Sequence, residues 1–361
     1  MQCSFRYRHR EKHVDPAPLK ARVAGPSLAE KCAFLESCAA RPGQPRPEVI
    51  ETHTAMVFLG QDTVWKMKTP VRLPFLDFSR LSAREHACRE EVRLNRVLAG
   101  KEVYRDVLAL TLRADGLLAL EGSGRVVDWL VEMRRLPAGE TLDNRLRDGR
   151  PPERSEIGRV AERMQEFYRM APRPKGAGEG YLERWMREGR VNAGNLAEMA
   201  PHLGAAFKSE TAGAALALME ANRGEIMERA GLGLIVEGHG DLRPEHVCLE
   251  NPPVIFDRLE FDPILRLADP FEEMNYLGLE CEALGAAWIR SMLLTPLLRS
   301  GLKPPGRQLM KSYGVNRCLT RARLAIDHLR DAEIRTPEKW PLQARFYLER
   351  AKMILTGTRA D

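Results

Sequence analysis

The stretch that most constrains this chain is residues 239–257, where a polar loop with the sequence HGDLRPEH runs into short apolar segments and ends at Asp257. Pro244 excludes a regular ladder strand and a continuous helix at its position, so these first residues are predicted to form a loop. The apolar segments that follow predict two short β-strands joined by a Pro/Asn turn, 247–249 and 254–256. Such a hairpin is expected to carry Asp257 back to the neighbourhood of Asp241. Phosphoryl transfer uses two carboxylates in these roles, one to orient the attacking hydroxyl and one to hold magnesium.

The loop resembles the catalytic loop of the protein-kinase-like superfamily, whose protein kinases have HRDLKPEN. FDRLEF, residues 256–261, falls where those kinases have their metal-binding Asp-Phe-Gly segment. The aminoglycoside-phosphotransferase-like branch is more similar, with an HGDxxxxN loop, an IDF-type segment and a later Asp-Pro, which is Asp269-Pro270 here. Residues 51–79 and 89–98 resemble the small lobe of an uncharacterised phosphotransferase family of that branch. The resemblance covers roughly residues 50–350.

The resemblance implies roles for the residues of the central stretch. Asp241 is expected to act as base or orienter of the acceptor hydroxyl, Arg243 to stabilise the charge of the transferring phosphate, and His239 to brace the loop. Asp257 is expected to bind magnesium. His246 stands where the family has a metal-holding asparagine, and an imidazole suits manganese or a softer ion better than magnesium. Three alternatives follow: the second metal is lost, His246 binds phosphate, or His246 braces Asp257.

A lysine for the nucleotide is predicted on the third strand of the small lobe, residues 63–68. Lys66 and Lys68 fall on one face of that strand, because side chains alternate along it. In the kinase-like fold such a lysine contacts the α- and β-phosphates and pairs with a helix glutamate. Lys66 is preferred, and Lys68 is the alternative.

The helix glutamate is predicted on residues 83–98, whose apolar residues recur at helical spacing. Glu91 falls on the apolar side, where a buried carboxylate needs a cationic partner. Lys66 is expected to be that partner. Glu90 is the neighbouring alternative.

Two further parts of a nucleotide site follow from the resemblance. The loop over the phosphates, residues 51–54, has no glycine, so hydroxyls and an imidazole would replace some backbone N–H contacts. The hinge falls at residues 132–134, where the backbone at Met133 would bind the adenine edge. The implied cofactors are ATP, with GTP as the alternative, and Mg²⁺, with Mn²⁺ as the alternative.

Composition is that of an ordinary soluble protein, with 361 residues of which 44% are hydrophobic and 29% charged. We predict an α+β, bilobal protein-kinase-like fold, with a small antiparallel β lobe containing one key helix and a larger, mostly α-helical lobe. The expected parts are a basic, disordered leader, a nucleotide-binding lobe, and a helical catalytic and acceptor lobe: residues 1–26, 27–133 and 134–361. The sequence has no run of eighteen apolar residues and no signal-like segment, so a cytoplasmic protein without a membrane partner is expected.

The charge and the cysteines exclude other classes of protein. The net charge is +6 and the pI about 9.0, but much of the excess lies in the first 23 residues, as in a solvated tail. No specific nucleic-acid partner is therefore predicted. The seven cysteines are scattered, without a CxxC pair, which argues against a disulfide framework and a cysteine zinc site.

Apolar spacing and cap residues predict several helices. Ser27 is predicted to cap a first helix over 27–40, and Ser155 to cap a helix of the larger lobe. A further helix is predicted over 214–230, and residues 172–180 are predicted to form a loop. The aromatic residues and a methionine near that loop are expected to be core: Phe167, Tyr168, Tyr181, Trp185 and Met186.

These observations predict an ATP-dependent phosphotransferase that moves the γ-phosphate to a hydroxyl of a small-molecule acceptor. The first alternative is a catalytically silent kinase fold that binds a nucleotide or a partner as a regulator. The second is a metal-dependent hydrolase whose ligands would be four residues of the central stretch: His239, Asp241, His246 and Asp257.

Overall fold

The computed structural model describes residues 25–40, 47–73, 76–330 and 336–357, together with a short strand at Phe5–Arg6. The strands are β1 (Phe5–Arg6), β2 (Glu48–Glu51), β3 (Ala55–Leu59), β4 (Thr63–Lys68), β5 (Arg72–Leu73), β6 (Leu76–Asp77), β7 (Tyr104–Leu112), β8 (Leu118–Leu120), β9 (Arg125–Arg134), β10 (Val236–Glu237), β11 (Val247–Cys248), β12 (Val254–Ile255) and β13 (Leu267–Ala268). Apart from β1 and residues 25–26, the predicted basic leader lies outside the described residues.

The helices are α1 (Leu28–Ala39), α2 (Leu81–Ala99), α3 (Leu142–Arg147), α4 (Arg154–Met170), α5 (Ala177–Glu198), α6 (Ala200–Leu203), α7 (Ser209–Ala221), α8 (Arg223–Gly231), α9 (Pro263–Arg266), α10 (Pro270–Ala283), α11 (Trp288–Arg299), α12 (Arg307–Asp327) and α13 (Lys339–Thr356). Among the described residues, no helix combines the length and the apolar character needed to cross a membrane.

The chain forms two compact units, residues 1–144 with 245–261 and residues 145–244 with 262–361. The expected boundary was at residues 133–134, whereas the units divide at 144–145 and the 245–261 segment belongs to the first unit. Packing explains this difference. Cys248 and Val254 of the β11–β12 hairpin share an apolar core with Val92 of α2, Tyr104 of β7 and Val131 of β9.

The first unit is built on an antiparallel sheet with the strand order β1-β2-β3-β4-β9-β7-β8. Helix α1 starts at the predicted cap, because the Ser27 hydroxyl accepts from the Glu30 amide while the Glu30 carboxylate accepts from the Ser27 amide. Helix α2 contains the predicted residues 83–98, and its face with Ala87, Leu94 and Leu98 is buried. Two predicted features of a kinase small lobe, the antiparallel sheet and its key helix, are therefore present.

The second unit is mostly helical, as predicted, but three of its local predictions are wrong. The loop predicted at 172–180 is shorter, because α5 begins at Ala177. The single helix predicted over 214–230 is divided at Asn222, whose side-chain amide donates to the carbonyl of Leu218. Helix α4 is capped by Glu153 and not by Ser155. The predicted aromatic core is confirmed, since its members are buried: Phe167, Tyr168, Tyr181, Trp185 and Met186.

Candidate active site

The predicted ion pair between strand β4 and helix α2 is present in the first unit. Lys66 Nζ lies 2.8 Å from Glu91 Oε1, and the glutamate side chain has no exposed surface. Lys68, the alternative lysine, lies 2.5 Å from the other oxygen, Glu91 Oε2. Glu90 instead pairs with Arg93 on the exposed side of the helix. Glu91 is therefore the carboxylate that joins α2 to β4, and it binds both lysines.

Lys66 also contacts the proposed metal ligand. Its Nζ donates a hydrogen bond of 3.0 Å to Asp257 Oδ1, and 43% of the Asp257 side chain is exposed. The surrounding protein atoms alone would raise the pKa of Asp257, but Lys66 and His246 more than offset that effect and hold the pKa below its ordinary value. Burial would likewise lower the pKa of Lys66, yet Asp257 and Glu91 raise it well above normal. Both groups are therefore charged at neutral pH.

The second lysine of β4 contacts a further carboxylate of the same cluster. Lys68 is 1% exposed and donates to Glu260, three residues after Asp257. Lys66 and Lys68 thus contact three carboxylates, those of Glu91, Asp257 and Glu260.

Asp257 has an unusual backbone conformation. Its φ of 61° lies in the left-handed region, which costs a non-glycine residue roughly 1–2 kcal/mol. The amide of Asp257 donates to the Tyr104 hydroxyl at 3.3 Å, and the amide of Arg258 donates to Asn95 Oδ1 at 2.8 Å. Neither Tyr104 nor Asn95 was predicted as a site residue. The only sequence signal was that Asn95 follows Glu91 by one helical turn and thus shares its buried face.

His246 also contacts Asp257. Its Nε2 lies 3.5 Å from Asp257 Oδ2, and its ring makes an edge contact with Phe256 at 5.9 Å between centroids. Of the three alternatives for His246, this contact corresponds to bracing of the carboxylate.

The first unit contains carboxylate oxygens, the donors that magnesium prefers. Among the described residues, no group of three or more His, Cys, Asp or Glu side chains is arranged to hold a metal ion. Kinases do not use such a cage, because their magnesium is held by one or two carboxylates together with the nucleotide phosphates and water. The half-exposed Asp257 carboxylate fits an ion that arrives with a nucleotide, because such an ion needs only one or two carboxylates from the protein.

The loop between β2 and β3, expected over the nucleotide phosphates, satisfies its own backbone. The Thr52 hydroxyl accepts from the amides of Ala55 at 3.0 Å and Thr54 at 3.4 Å, and donates to the Ala55 carbonyl. The Thr52 side chain thus accepts hydrogen bonds from N–H groups that a glycine-rich loop would offer to phosphates. Met133, the predicted hinge residue, lies near the end of β9 with Val64 and Tyr104 as its register partners.

The predicted catalytic loop belongs to the second unit. His239 has no exposed surface, and its Nδ1 accepts from the Asp241 amide at 3.3 Å, so this ring nitrogen braces the loop. Gly240 has a φ of 91°, a conformation that glycine adopts without steric cost. Asp241 is 31% exposed, and its Oδ2 lies 3.6 Å from Arg243 Nη1. Asp241 therefore presents an accessible carboxylate beside a guanidinium.

A buried glutamate of α10, which was not predicted as a site residue, binds the backbone of this loop. Glu273 of α10 is 1% exposed and accepts hydrogen bonds from the amides of His239 at 3.0 Å and Gly240 at 2.7 Å, and from the Tyr168 hydroxyl at 2.8 Å. One buried carboxylate thus binds the backbone of two adjacent loop residues and a tyrosine hydroxyl.

Asp269 of the predicted Asp-Pro pair is the N-cap of α10. Its side chain accepts from the Phe271 amide, from the buried Arg229 guanidinium and from the Tyr313 hydroxyl. Pro270 follows at the first helical position, which suits a residue without an amide hydrogen. This pair therefore fixes the start of the helix that carries Glu273.

The predicted residues fall into two sets. The first unit brings five of them into one network of contacts: Lys66, Lys68, Glu91, His246 and Asp257. The second unit contains the catalytic-loop residues His239, Asp241 and Arg243. Asp241 and Asp257 thus belong to different units.

Comparison with known proteins identifies the fold. No family model matches the chain. A choline/ethanolamine kinase family protein from Mesorhizobium loti superposes with a TM-score of 0.50, at 15% identity, over 91% of this chain and 95% of that protein. The chain has a kinase-like fold. A spectinomycin phosphotransferase in complex with ADP and spectinomycin has a TM-score of 0.48, at 10% identity, over 86% of this chain and 93% of the other.

The kinase-like fold confirms, at the level of architecture, the resemblance seen in the sequence. Uncharacterized proteins of Mycobacterium tuberculosis and Mycobacterium bovis are 29% identical over 305 residues, which is 80% of this chain. The chain spans 57% of the length of these relatives.

Proposed function

We propose that this protein is an ATP-dependent phosphotransferase that moves the γ-phosphate to a hydroxyl of a small molecule. The observation that carries the proposal is the position of the Lys66 ammonium, which contacts both Glu91 and Asp257. A strand lysine paired with a helix glutamate, beside an aspartate that follows a catalytic loop, is what a kinase uses to hold phosphates and magnesium.

In the first unit, Lys66 would contact the nucleotide phosphates while Glu91 keeps its ammonium in place. Asp257 would bind Mg²⁺, or Mn²⁺, which supplies charge neutralisation for the phosphates when bound. Lys68 and Glu260 would keep the segment after Asp257 against β4. Met133 is proposed at the adenine edge, and GTP is the alternative nucleotide.

In the second unit, Asp241 would orient the acceptor hydroxyl and accept its proton. Arg243 would stabilise negative charge on the transferring phosphate, because a guanidinium offers several donors in a fixed plane. His239 and Glu273 would keep the loop in shape through the hydrogen bonds that they make to its backbone.

The alternative of a catalytically silent, nucleotide-binding regulator is favoured by one observation. The Thr52 hydroxyl accepts hydrogen bonds from the amides of Thr54 and Ala55, two N–H groups that would otherwise be available to bind phosphates. Such a protein would bind ATP and metal without transferring phosphate.

The metal-dependent hydrolase has less support. One of its four ligands, His239, already uses Nδ1 to accept a hydrogen bond from the backbone of its own loop.

The test is calorimetric titration of ATP into the purified protein with Mg²⁺, with Mn²⁺ and with a chelator. Asp257→Asn and Lys66→Ala are expected to abolish metal-dependent binding, whereas Asp115→Asn, in an exposed turn, is the control expected to bind like wild type. A screen of hydroxyl acceptors by ADP release would follow, with Asp241→Asn as the blank.

Each outcome separates the candidates. ADP release that depends on an acceptor and is lost in Asp241→Asn supports the phosphotransferase. Metal-dependent ATP binding without transfer to any acceptor class supports the silent regulator. The absence of nucleotide binding with every divalent ion would refute both.

A further inference from the structure

The backbone around Asp257 is held from both sides by side chains of other elements. Tyr104 of β7 accepts a hydrogen bond from the amide of Asp257, and Asn95 of α2 accepts one from the amide of Arg258. Asn95 also donates through Nδ2 to the Arg258 carbonyl at 3.3 Å and to the Glu91 carbonyl at 2.9 Å. Both peptide N–H groups flanking the Asp257 side chain therefore have a buried partner.

The chemistry of Asn95 matches what it binds. Its side chain is fully buried and meets the N–H and the C=O of the same residue, Arg258, so it must accept and donate at once. Among side chains of this length only a carboxamide does so without charge. An unpaired Arg258 amide in this buried place would be costly.

The left-handed backbone of Asp257 needs such support. A residue in that conformation persists only when surrounding groups determine it, because relaxation to an ordinary conformation is downhill. Relaxation here would turn the carboxylate away from Lys66, which contacts it at 3.0 Å. Asn95 and Tyr104 thus fix the direction in which the Asp257 side chain points.

We propose that Asn95 and Tyr104 are positioning residues that hold Asp257 ready to bind the metal of a metal–nucleotide complex and couple it to the helix carrying Glu91. The inference rests on the proposed function, since it assigns a purpose to the geometry of Asp257. Lys66 joins Glu91 to Asp257 through charge, and Asn95 joins the same helix to the same segment through backbone hydrogen bonds. The lysine pair and the metal ligand are therefore held as one assembly.

The test compares two variants that leave every charged group in place. Asn95→Leu keeps a side chain of the same length and branching and removes all three hydrogen bonds, and Tyr104→Phe removes a single oxygen atom. ATP affinity is measured by calorimetry with Mg²⁺ and with a chelator. The dissociation constant in chelator divided by that with Mg²⁺ gives the factor by which the metal tightens ATP binding. Asn192→Leu, at a fully buried asparagine of α5 that is bonded to Asn316 and Thr320, is the matched control.

The factor by which Mg²⁺ tightens ATP binding is expected to fall by about 10-fold or more in Asn95→Leu, because losses of this size are typical when a group that orients a metal ligand is removed. Tyr104→Phe should show a smaller loss in the same direction. Both should keep the wild-type affinity for ATP in chelator, and Asn192→Leu should keep the wild-type factor even though its melting temperature falls.

The outcomes distinguish this inference from the function on which it rests. Wild-type protein that binds ATP equally with and without metal overturns the proposed function and the positioning role together. Wild-type protein that needs metal, while Asn95→Leu and Tyr104→Phe need it to the same degree, overturns the positioning role alone. If Asn95→Leu does not fold, Tyr104→Phe decides, because it adds no atoms to the core.

Discussion

Replacing Glu91 by glutamine tests the central ion-pair cluster most directly. The substitution keeps the shape of the side chain and removes a fully buried charge that two lysines share. Removal of one partner from a buried ion pair typically costs about 3–5 kcal/mol. Lys66 keeps Asp257 and Lys68 keeps Glu260, so the lower end of that range, about 3 kcal/mol, is expected.

The matched control is the neighbouring residue on the same helix. Glu90→Gln breaks an exposed pair with Arg93, which should cost about 0.5 kcal/mol or less. With an m-value of about 2 kcal/mol per molar, Glu91→Gln should lower the urea midpoint by roughly 1.5 M and Glu90→Gln by less than about 0.3 M. Circular dichroism during urea titration at pH 7 measures both.

The same pair of variants has a predicted pH dependence. Burial raises the pKa of Glu91, but Lys66 and Lys68 outweigh it, so the pKa in the folded protein is below the ordinary value. The stabilisation by the Glu91 charge is therefore complete above the ordinary pKa of about 4.3 and is lost as the pH falls through the folded-state pKa. The deficit of Glu91→Gln should shrink in acid. Equal urea midpoints for the two variants at pH 7 would refute the reasoning.

Three further predictions concern other contacts. Gly240→Ala, at a φ of 91°, should lower stability by about 1–2 kcal/mol. Gly213→Ala, inside α7 with open space around it, should raise stability by about 0.5–1 kcal/mol, because glycine is unfavourable inside a helix. Thermal melts compare the two variants. Glu273→Gln should cost about 1.5–3 kcal/mol and reduce phosphate transfer, measured by urea titration and ADP release, because the amide cannot accept from all three donors. Arg134→Ala breaks a pair with Glu250 whose side chains are 32% and 26% exposed, and it should cost less than about 1 kcal/mol; a larger loss in urea titration would show that this contact is not screened like a surface ion pair.

Side-chain periodicity in the sequence was sufficient to predict β4 and α2, the strand and helix that carry the two lysines and Glu91. Alternation along β4 placed Lys66 and Lys68 on one face, and helical spacing placed Glu91 on the buried side of α2. The cost of burying a lone carboxylate then required a lysine partner, which the structure contains. The sequence favoured Lys66 over Lys68 as the partner of Glu91, and in the structure both lysines contact this glutamate.

Helix ends in the second unit were predicted less well, because they depend on single polar groups. Asn222 divides a segment whose apolar spacing continues through it, and Glu153 caps α4 where Ser155 was expected. Ser155 has the more favourable residue type for a cap. It instead donates its hydroxyl to the Glu153 carboxylate, a contact that residue type alone does not predict.

The sequence by itself determined the loop at residues 239–246 and the hairpin that leads to Asp257, because proline, turn residues and side-chain periodicity act locally. The kinase-like fold class followed from the resemblance of its motifs to those of the protein-kinase-like superfamily. Only the tertiary structure decided what holds the site residues in position. Asn95 lies 163 residues from Arg258, and Tyr104 lies 153 residues from Asp257, so no local pattern could pair them. Glu273 likewise reaches His239 across 34 residues. A hydrogen bond between distant segments depends on where the whole chain brings their backbones, which short-range propensities do not encode.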